Sequence, residues 1–229
     1  MRRLALLFAI LTAGTVFGQV DPNIQPDPKR FEKTIADFEK WDSKNSFPQN
    51  SVLFVGSSSI VMWQTRISFE GLPVINRGFG GSHISDVNFY FKRVVAPYKP
   101  QVIVFYAGDN DIASGKSADQ VVADYQQFVK MVKTRMPHTT TIFISIKPSE
   151  SRWSLWPVEQ QTNEMIRLFC EKDDRLVFID AGSVLLNDAG KPNPEYFLSD
   201  KLHLNNKGYQ KWNELLRPVI ERALAHKTD

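Results

Sequence analysis

Apolar and polar positions along the chain follow two alternating patterns. Short apolar runs such as Val52–Val55 lead directly into small or polar residues, which is typical of strands buried on both faces. Longer segments repeat apolar residues every three or four positions, which is typical of amphipathic helices. The predicted strands are 52–56, 74–76, 101–106, 141–147 and 176–180, and the predicted helices are 30–43, 84–95, 118–135, 157–172 and 205–225.

The order of these segments predicts the architecture. Strands that alternate with helices of about ten or more residues indicate an α/β fold, in which helices cover both faces of a parallel sheet. Pro218 lies inside the last predicted helix and should kink or break it, because proline removes a backbone donor and its ring clashes with the preceding turn. The chain of 229 residues suits one full domain, which we place at residues 31–229.

The N-terminal segment has the order of charges and apolar residues that is found in export signals. Arg2 and Arg3 precede the apolar run Leu4–Leu11, and small residues follow it. This order predicts a signal peptide over residues 1–18, cleaved after Gly18. The alternative is a retained amphipathic N-terminus. The run is too short to span a bilayer, so we expect no stable membrane anchor.

Cleavage at that point leaves Gln19 as the first residue of the mature chain. Residues 19–30 contain Pro22, Pro26 and Pro28 and predict a loose leader before the domain. We therefore expect a secreted or periplasmic protein.

Composition and charge exclude several classes of function. Lysines and arginines number 28 against 25 acidic residues, and the excess nearly vanishes without Arg2 and Arg3, so we expect no nucleic-acid partner. Cys170 is the one cysteine, cannot form an internal disulfide, and is predicted to be a buried apolar residue. The four histidines lack ligand spacing, so we predict no metal site.

Small hydroxyl residues follow the first predicted strand. Gly56 is succeeded by Ser57, Ser58 and Ser59, and the next residues have the pattern of a helix. A serine at a strand-to-helix turn presents its hydroxyl beside backbone N–H groups that can hold negative charge. The alternative is that the serines only cap the helix.

Two further strand ends carry candidate donors for an oxyanion. Asn76–Ser82 contains three glycines in four positions, which permits a backbone N–H to approach an oxyanion closely. The spacing does not fit a dinucleotide loop, because the third glycine would fall at His83. After the third strand, Asn110 of Gly108–Asp111 offers a side-chain amide. Either segment can instead serve only to build a turn.

A carboxylate and an imidazole precede the last predicted helix. Asp200 lies three residues before His203, so it can accept from one ring nitrogen and leave the other free to take a proton from a serine. A lone histidine is more often structural, but this pairing favours general-base chemistry.

Together, these four segments resemble the SGNH or GDSL-like hydrolase family, over about residues 50 to 215. Gly56-Ser57-Ser58 matches the nucleophile segment, although Ser57 stands where the family has aspartate. The resemblance implies a three-layer flavodoxin-like fold with a five-stranded parallel sheet. It also implies a serine esterase that needs no metal or organic cofactor.

The resemblance assigns a role to each matched residue. It makes Ser58 the nucleophile, His203 the general base and Asp200 the partner of His203. The oxyanion hole would consist of the backbone N–H groups of Ser58 and Gly81 and the side-chain amide of Asn110.

Tryptophans suggest the substrate. Trp63, Trp153 and Trp156 offer faces for stacking on sugar rings, and the loop that carries the last two also contains the cations Lys147 and Arg152. We therefore expect a short acyl ester, acetyl above all, on a carbohydrate. The alternatives are a lysophospholipid or thioester substrate, a non-catalytic carbohydrate-binding protein, or tryptophans that only pack this loop.

Overall fold

Parallel strands form the centre of the fold in the computed structural model, which describes residues 24–225. The strands are β1 (Val52–Gly56), β2 (Val74–Gly78), β3 (Val102–Tyr106), β4 (Thr140–Ile144) and β5 (Leu176–Ile179). They are hydrogen-bonded in the order β2-β1-β3-β4-β5, and every pairing is parallel. Each predicted strand is present, and this flavodoxin-like order confirms the predicted sheet.

Helices cover both faces of the sheet, as predicted. They are α1 (Glu32–Asp42), α2 (Ser58–Val61), α3 (Thr65–Ser68), α4 (Ile84–Phe89), α5 (Phe91–Val94), α6 (Asp109–Ala113), α7 (Ala118–Arg135), α8 (Trp156–Cys170) and α9 (Asn206–Ala225). The helix predicted over residues 84–95 is divided at Tyr90 into α4 and α5. Pro218 does not break the last helix, because α9 continues through this residue, and the alternative of a kink stays a prediction.

Alternate residues of a strand pack into two separate apolar cores, one on each face of the sheet. Leu53 and Val55 of β1 join the core beneath α1, α4, α7 and α8. Val52 and Phe54 join the core beneath α9. This division follows from the period of two along a strand, and it explains why the central strands read as continuous apolar runs.

Trp63 belongs to the second core and is only 2% exposed. Its ring packs against Phe54, Phe69, Tyr209 and Trp212. Its indole N–H donates to the side chain of Asn213 at 2.9 Å. The prediction that Trp63 stacks on a sugar is therefore wrong, since its faces are already occupied by other aromatic rings.

The predicted signal peptide lies outside the described residues. Residues 28–30 of the predicted leader are not loose: Asp27 caps a 3₁₀ helix, Pro28–Phe31, and Arg30 forms an ion pair with Asp86.

Cys170 is buried, as predicted. Between residues 24 and 225, no helix combines the length and the apolar character that crossing a membrane requires.

The strand order determines where a ligand can bind. The chain leaves β1 for α2 and the core under α9, whereas it leaves β3 for α6 and α7 on the opposite face. The connections that follow these two neighbouring strands therefore run to opposite faces of the sheet, which opens a crevice at the carboxyl ends. In parallel α/β sheets this switch point is the usual place for a ligand.

Candidate active site

The turn after β1 places one serine at the crevice. Gly56 has φ of +139°, and a Cβ built on it would lie 1.8 Å from the Tyr106 carbonyl oxygen, so only glycine fits here. The next N–H, of Ser57, donates to that same oxygen at 2.9 Å. The chain then turns into α2, with Ser58 as its first residue.

Only the middle serine of the three is accessible. Ser57 and Ser59 are buried, and their hydroxyls have no hydrogen-bond partner within residues 24–225. Ser58 is partly exposed, and its Oγ lies 2.9 Å from Nε2 of His203. This contact joins residues that are 145 positions apart in the chain.

The second ring nitrogen of His203 meets a carboxylate. Its Nδ1 lies 2.6 Å from Oδ2 of Asp200, while Oδ1 of Asp200 accepts from the N–H groups of Leu202 and His203. Burial works to raise the pKa of Asp200, but these hydrogen bonds outweigh it and lower the pKa to about 2. Asp200 therefore stays ionised at neutral pH.

The loop that carries this pair has an unusual backbone conformation. Lys201 has φ of +58°, a left-handed conformation that costs about 1–2 kcal/mol in a residue with a side chain. The loop after β4 supports it, because the Ser151 N–H donates to the Lys201 carbonyl at 3.2 Å. Glu150 also accepts from the Lys201 ammonium at 2.6 Å. The tight turn brings the Asp200 carboxylate to its three donors.

Opposite this pair lies a set of available donors. Gly81 has φ of +79° in a turn that the Ser82 N–H closes on the Phe79 carbonyl. Within residues 24–225, no backbone carbonyl outside the helices and strands accepts from the N–H of Ser58 or of Gly81. The Asn110 side chain donates from Nδ2 to the Ser82 carbonyl at 3.3 Å, which places its amide beside the turn that carries Gly81.

A buried ion pair anchors the same turn from its other end. The Asp111 carboxylate accepts from the Ile84 N–H at 3.2 Å and from the Lys116 ammonium at 2.8 Å. Burial raises the pKa of Asp111 to about 6, although the Lys116 charge opposes this. Asp111 thus joins α6 to α4 without facing the reacting groups.

A second group of charges lies behind Asn110, and the sequence reasoning missed it. Asp109 is buried, with Lys147 at 3.6 Å and Arg152 at 3.3 Å from its Oδ2. Arg152 also donates from Nη2 to Oδ1 of Asn110 at 3.0 Å. Burial lowers the pKa of Lys147, and the nearby Asp109 charge opposes that change.

Glu159 completes this group from the first turns of α8. It is buried, and neither of its carboxylate oxygens has a hydrogen-bond partner within the described chain. Burial raises its pKa to about 8, the Asp109 charge adds to this, and Lys147 and Arg152 oppose it. Glu159 shares the buried face of α8 with Thr162, Ile166 and Cys170. A carboxylate on that apolar stripe was the signal that could have revealed it.

The loop after β4 was predicted to offer tryptophan faces and cations to a sugar, and the structure changes part of that prediction. Lys147 is only 1% exposed and donates to the Tyr106 hydroxyl at 3.3 Å, so the prediction that it offers a cation to the substrate is wrong. Trp153 and Trp156 are half-buried and stack on each other, with ring centroids 6.0 Å apart. The Lys191 ammonium lies over the Trp153 ring at 4.4 Å. These contacts pack the loop, and substrate stacking on either ring stays a prediction.

No group of three or more histidine, cysteine or carboxylate side chains in the described part of the chain could hold a metal ion. The groups brought together at the crevice are a hydroxyl, an imidazole, a carboxylate and N–H donors. This set can take a proton from a nucleophile and hold an oxyanion, which are the two requirements of acyl transfer.

Known proteins share this sequence pattern and fold. Residues 55–211 match the GDSL-like lipase/acylhydrolase family. The chain is 28% identical over 191 residues to the rat (Rattus norvegicus) platelet-activating factor acetylhydrolase IB subunit alpha2, which covers 80% of each chain.

Two solved structures show the same fold. A GDSL-like lipase from Bacteroides thetaiotaomicron superposes with a TM-score of 0.70 at 21% identity, over 86% of this chain and 98% of that one. An acetylxylan esterase from Geobacillus stearothermophilus superposes with a TM-score of 0.59 at 15% identity, over 80% and 97% of the two chains. At these identities the likeness shows the fold alone.

Proposed function

The chain belongs to the GDSL-like lipase/acylhydrolase family, and we propose that it is an exported serine esterase that removes short acyl groups, acetyl above all, from carbohydrate. The observation that carries the esterase mechanism is the pair of contacts that His203 makes, at 2.9 Å to Ser58 and 2.6 Å to Asp200. These two contacts connect an accessible serine hydroxyl, a base and an ionised partner for the base.

In the proposed mechanism, Nε2 of His203 takes the proton from Ser58 as Oγ attacks the acyl carbon. The resulting oxyanion accepts from the Ser58 and Gly81 N–H groups and the Asn110 amide. Asp200 holds the ring of His203 and stabilises its positive charge. His203 then gives its proton to the departing alcohol oxygen. A water molecule, activated by the same base, releases the acid from Ser58 and restores the enzyme.

The preference for acetyl is supported by the character of the site. The loop over residues 147–157 contains Leu155 as its one aliphatic side chain, whereas a long acyl chain gains about 0.8 kcal/mol per buried CH₂ only in an apolar groove. The names of two similar proteins, an acetylhydrolase and an acetylxylan esterase, both refer to an acetyl group. Xylan in the second name supports a carbohydrate as the alcohol.

A lipid ester is the second candidate. Val61, Met62 and Ile67 follow the serine turn closely and are exposed apolar residues, which suits contact with an acyl chain or an interface. The name of the rat relative refers to platelet-activating factor. A non-catalytic carbohydrate-binding role does not account for the contact between Ser58 and His203, and the family is one of hydrolases.

A panel of esters tests the proposal. We expect kcat/KM to be highest for acetate and to fall through butyrate, octanoate and palmitate esters of one chromogenic alcohol. Acetylated xylan and a lysophospholipid bearing one acetyl ester then separate the two alcohols at constant acyl group. A rise in kcat/KM from acetate to octanoate would overturn the short-acyl proposal and favour the lipid ester.

Export remains a proposal because residues 1–18 lie outside the described residues. The order of charged, apolar and small residues supports it. Intact-mass measurement on the protein from its native host should give a chain that begins at or near Gln19. Retention of Met1 on the mature protein would contradict export by this route.

A further inference from the structure

Arg152 and Ser82 bind opposite ends of the Asn110 amide. The Arg152 guanidinium donates to Oδ1 at 3.0 Å, and Nδ2 donates to the Ser82 carbonyl at 3.3 Å. A guanidinium has five donors and no acceptor, and a carbonyl only accepts. Each partner therefore matches one end of the amide and rejects the other, so a flipped Asn110 would face a donor with a donor and an acceptor with an acceptor.

This orientation leaves one donor free. The Nδ2 group carries two N–H bonds, and Ser82 takes one of them. The second is available to an oxyanion beside Gly81. A cation on the amide oxygen also polarises the amide and strengthens the remaining donor. The contact of Arg152 thus acts on the end of Asn110 that does not touch the substrate.

Arg152 is itself held in place. Its Nη1 lies 3.3 Å from the buried Asp109 carboxylate, and its backbone carbonyl accepts from the Leu155 N–H at 2.8 Å. The preceding N–H, of Ser151, bonds to the Lys201 carbonyl. The side chain is about 20% exposed, so its interaction with Asn110 is only partly screened by water.

We infer that Arg152 is a positioning residue of the oxyanion hole, which orients and polarises the Asn110 amide so that its free N–H points at the developing negative charge. The inference rests on the proposed esterase function, because it requires Asn110 to be an oxyanion donor. It does not require Arg152 to touch the substrate. The geometry adds a cation behind the amide, where it can favour the transition state over the ground state.

The test removes the guanidinium and keeps an unbranched apolar stem. Arg152→Met should lower kcat for an acetate ester roughly tenfold with little change in KM, since the lost effect is confined to the transition state. Arg152→Lys should recover part of kcat, because it restores a donor and a charge. Arg167→Met is the matched control: it removes a guanidinium that pairs with Glu164 on α8 and with Glu171 just after it, and it should leave kcat unchanged.

A double-mutant cycle separates positioning from damage to the fold. In an Asn110→Ala background, Arg152→Met should cause no further loss of kcat, because the amide on which it acts is gone. Additive losses, or a rise in KM with normal kcat, would overturn the inference and assign Arg152 to the fold or to substrate binding. Normal kcat in Asn110→Ala would instead overturn the proposed oxyanion hole and the inference with it. Normal kcat in Arg152→Met beside impaired Asn110→Ala would overturn the inference alone.

Discussion

The site has a proton-transfer half, formed by Ser58, His203 and Asp200, and an oxyanion half, formed by Gly81, Asn110 and the charges behind Asn110. The two halves are built from different kinds of contact. The Asp200 side chain is 46% exposed and reaches His203 within one turn of a local loop. On the oxyanion side, Asp109, Lys147 and Glu159 are buried, and they come from three separate segments. The proton-transfer half depends on local contacts between partly exposed side chains, whereas the oxyanion half depends on long-range contacts between buried ones.

The difference shows which interactions each half of the site uses to stabilise charge. A carboxylate and an imidazole three residues apart can meet in any chain that adopts this loop, and hydrogen bonds keep Asp200 ionised although part of its side chain is buried. Charges behind Asn110 act through a low-dielectric interior, where an ion influences its neighbours more strongly than it does in water. We therefore expect the first half to decide whether catalysis occurs and the second to decide how fast it is.

The largest effect should come from the nucleophile. Ser58→Ala removes the hydroxyl that meets His203 and should lower kcat by roughly 10⁴-fold or more while the fold survives. Turnover of a chromogenic acetate ester measures this, with circular dichroism as the check on folding. Ser57→Ala and Ser59→Ala are matched controls, because both hydroxyls are buried away from the crevice. Loss of turnover in a control beside a normal Ser58→Ala would move the nucleophile to that serine.

An intermediate effect is expected on the other side of the crevice. Asn110→Ala removes one oxyanion donor and should lower kcat on the order of 10²–10³-fold, with little change in KM. Steady-state kinetics with the same ester measures both constants. Should kcat stay normal, Asn110 would only shape the turn, and the comparison between the two halves would lose its basis.

The smallest effect on turnover, but a clear one on stability, is expected from Glu159. Its carboxyl has a pKa of about 8 in the fold against 4.5 for the free group, so the native state holds a proton that the unfolded state loses. Stability should therefore fall as the pH rises from about 4.5 to about 8. At about 1.4 kcal/mol per pKa unit, the contribution is at most about 5 kcal/mol.

Glu159→Gln removes this titration and should be more stable than the parent chain at pH 8.5, with the advantage shrinking towards pH 5. Urea unfolding at several pH values measures it. Glu164→Gln, on the exposed face of the same helix, is the control and should keep the parent's pH dependence. An unchanged slope in Glu159→Gln would mean that this carboxyl is already ionised in the fold, in spite of Asp109 beside it.

Much of the architecture was present in local patterns. The continuous apolar run of β1 and the helical period in α7 are properties of short segments, so the strands and most of the helices could be predicted within a few residues. The four motif segments also placed Ser58, Gly81, Asn110 and His203 at the ends of strands or before a helix, because strand ends in a parallel sheet share one edge.

Only the tertiary structure decided which side chains are buried and which charges meet. Trp63 follows α2 and Lys147 follows β4. Trp63 nevertheless lies in an aromatic core, and the Lys147 ammonium lies 3.6 Å from the buried Asp109 carboxylate. The contact between Arg152 and Asn110 spans 42 residues, and no local period encodes it. The physical reason is that periodicity specifies which face a residue occupies, whereas pairing between distant loops depends on the strand order that brings them together.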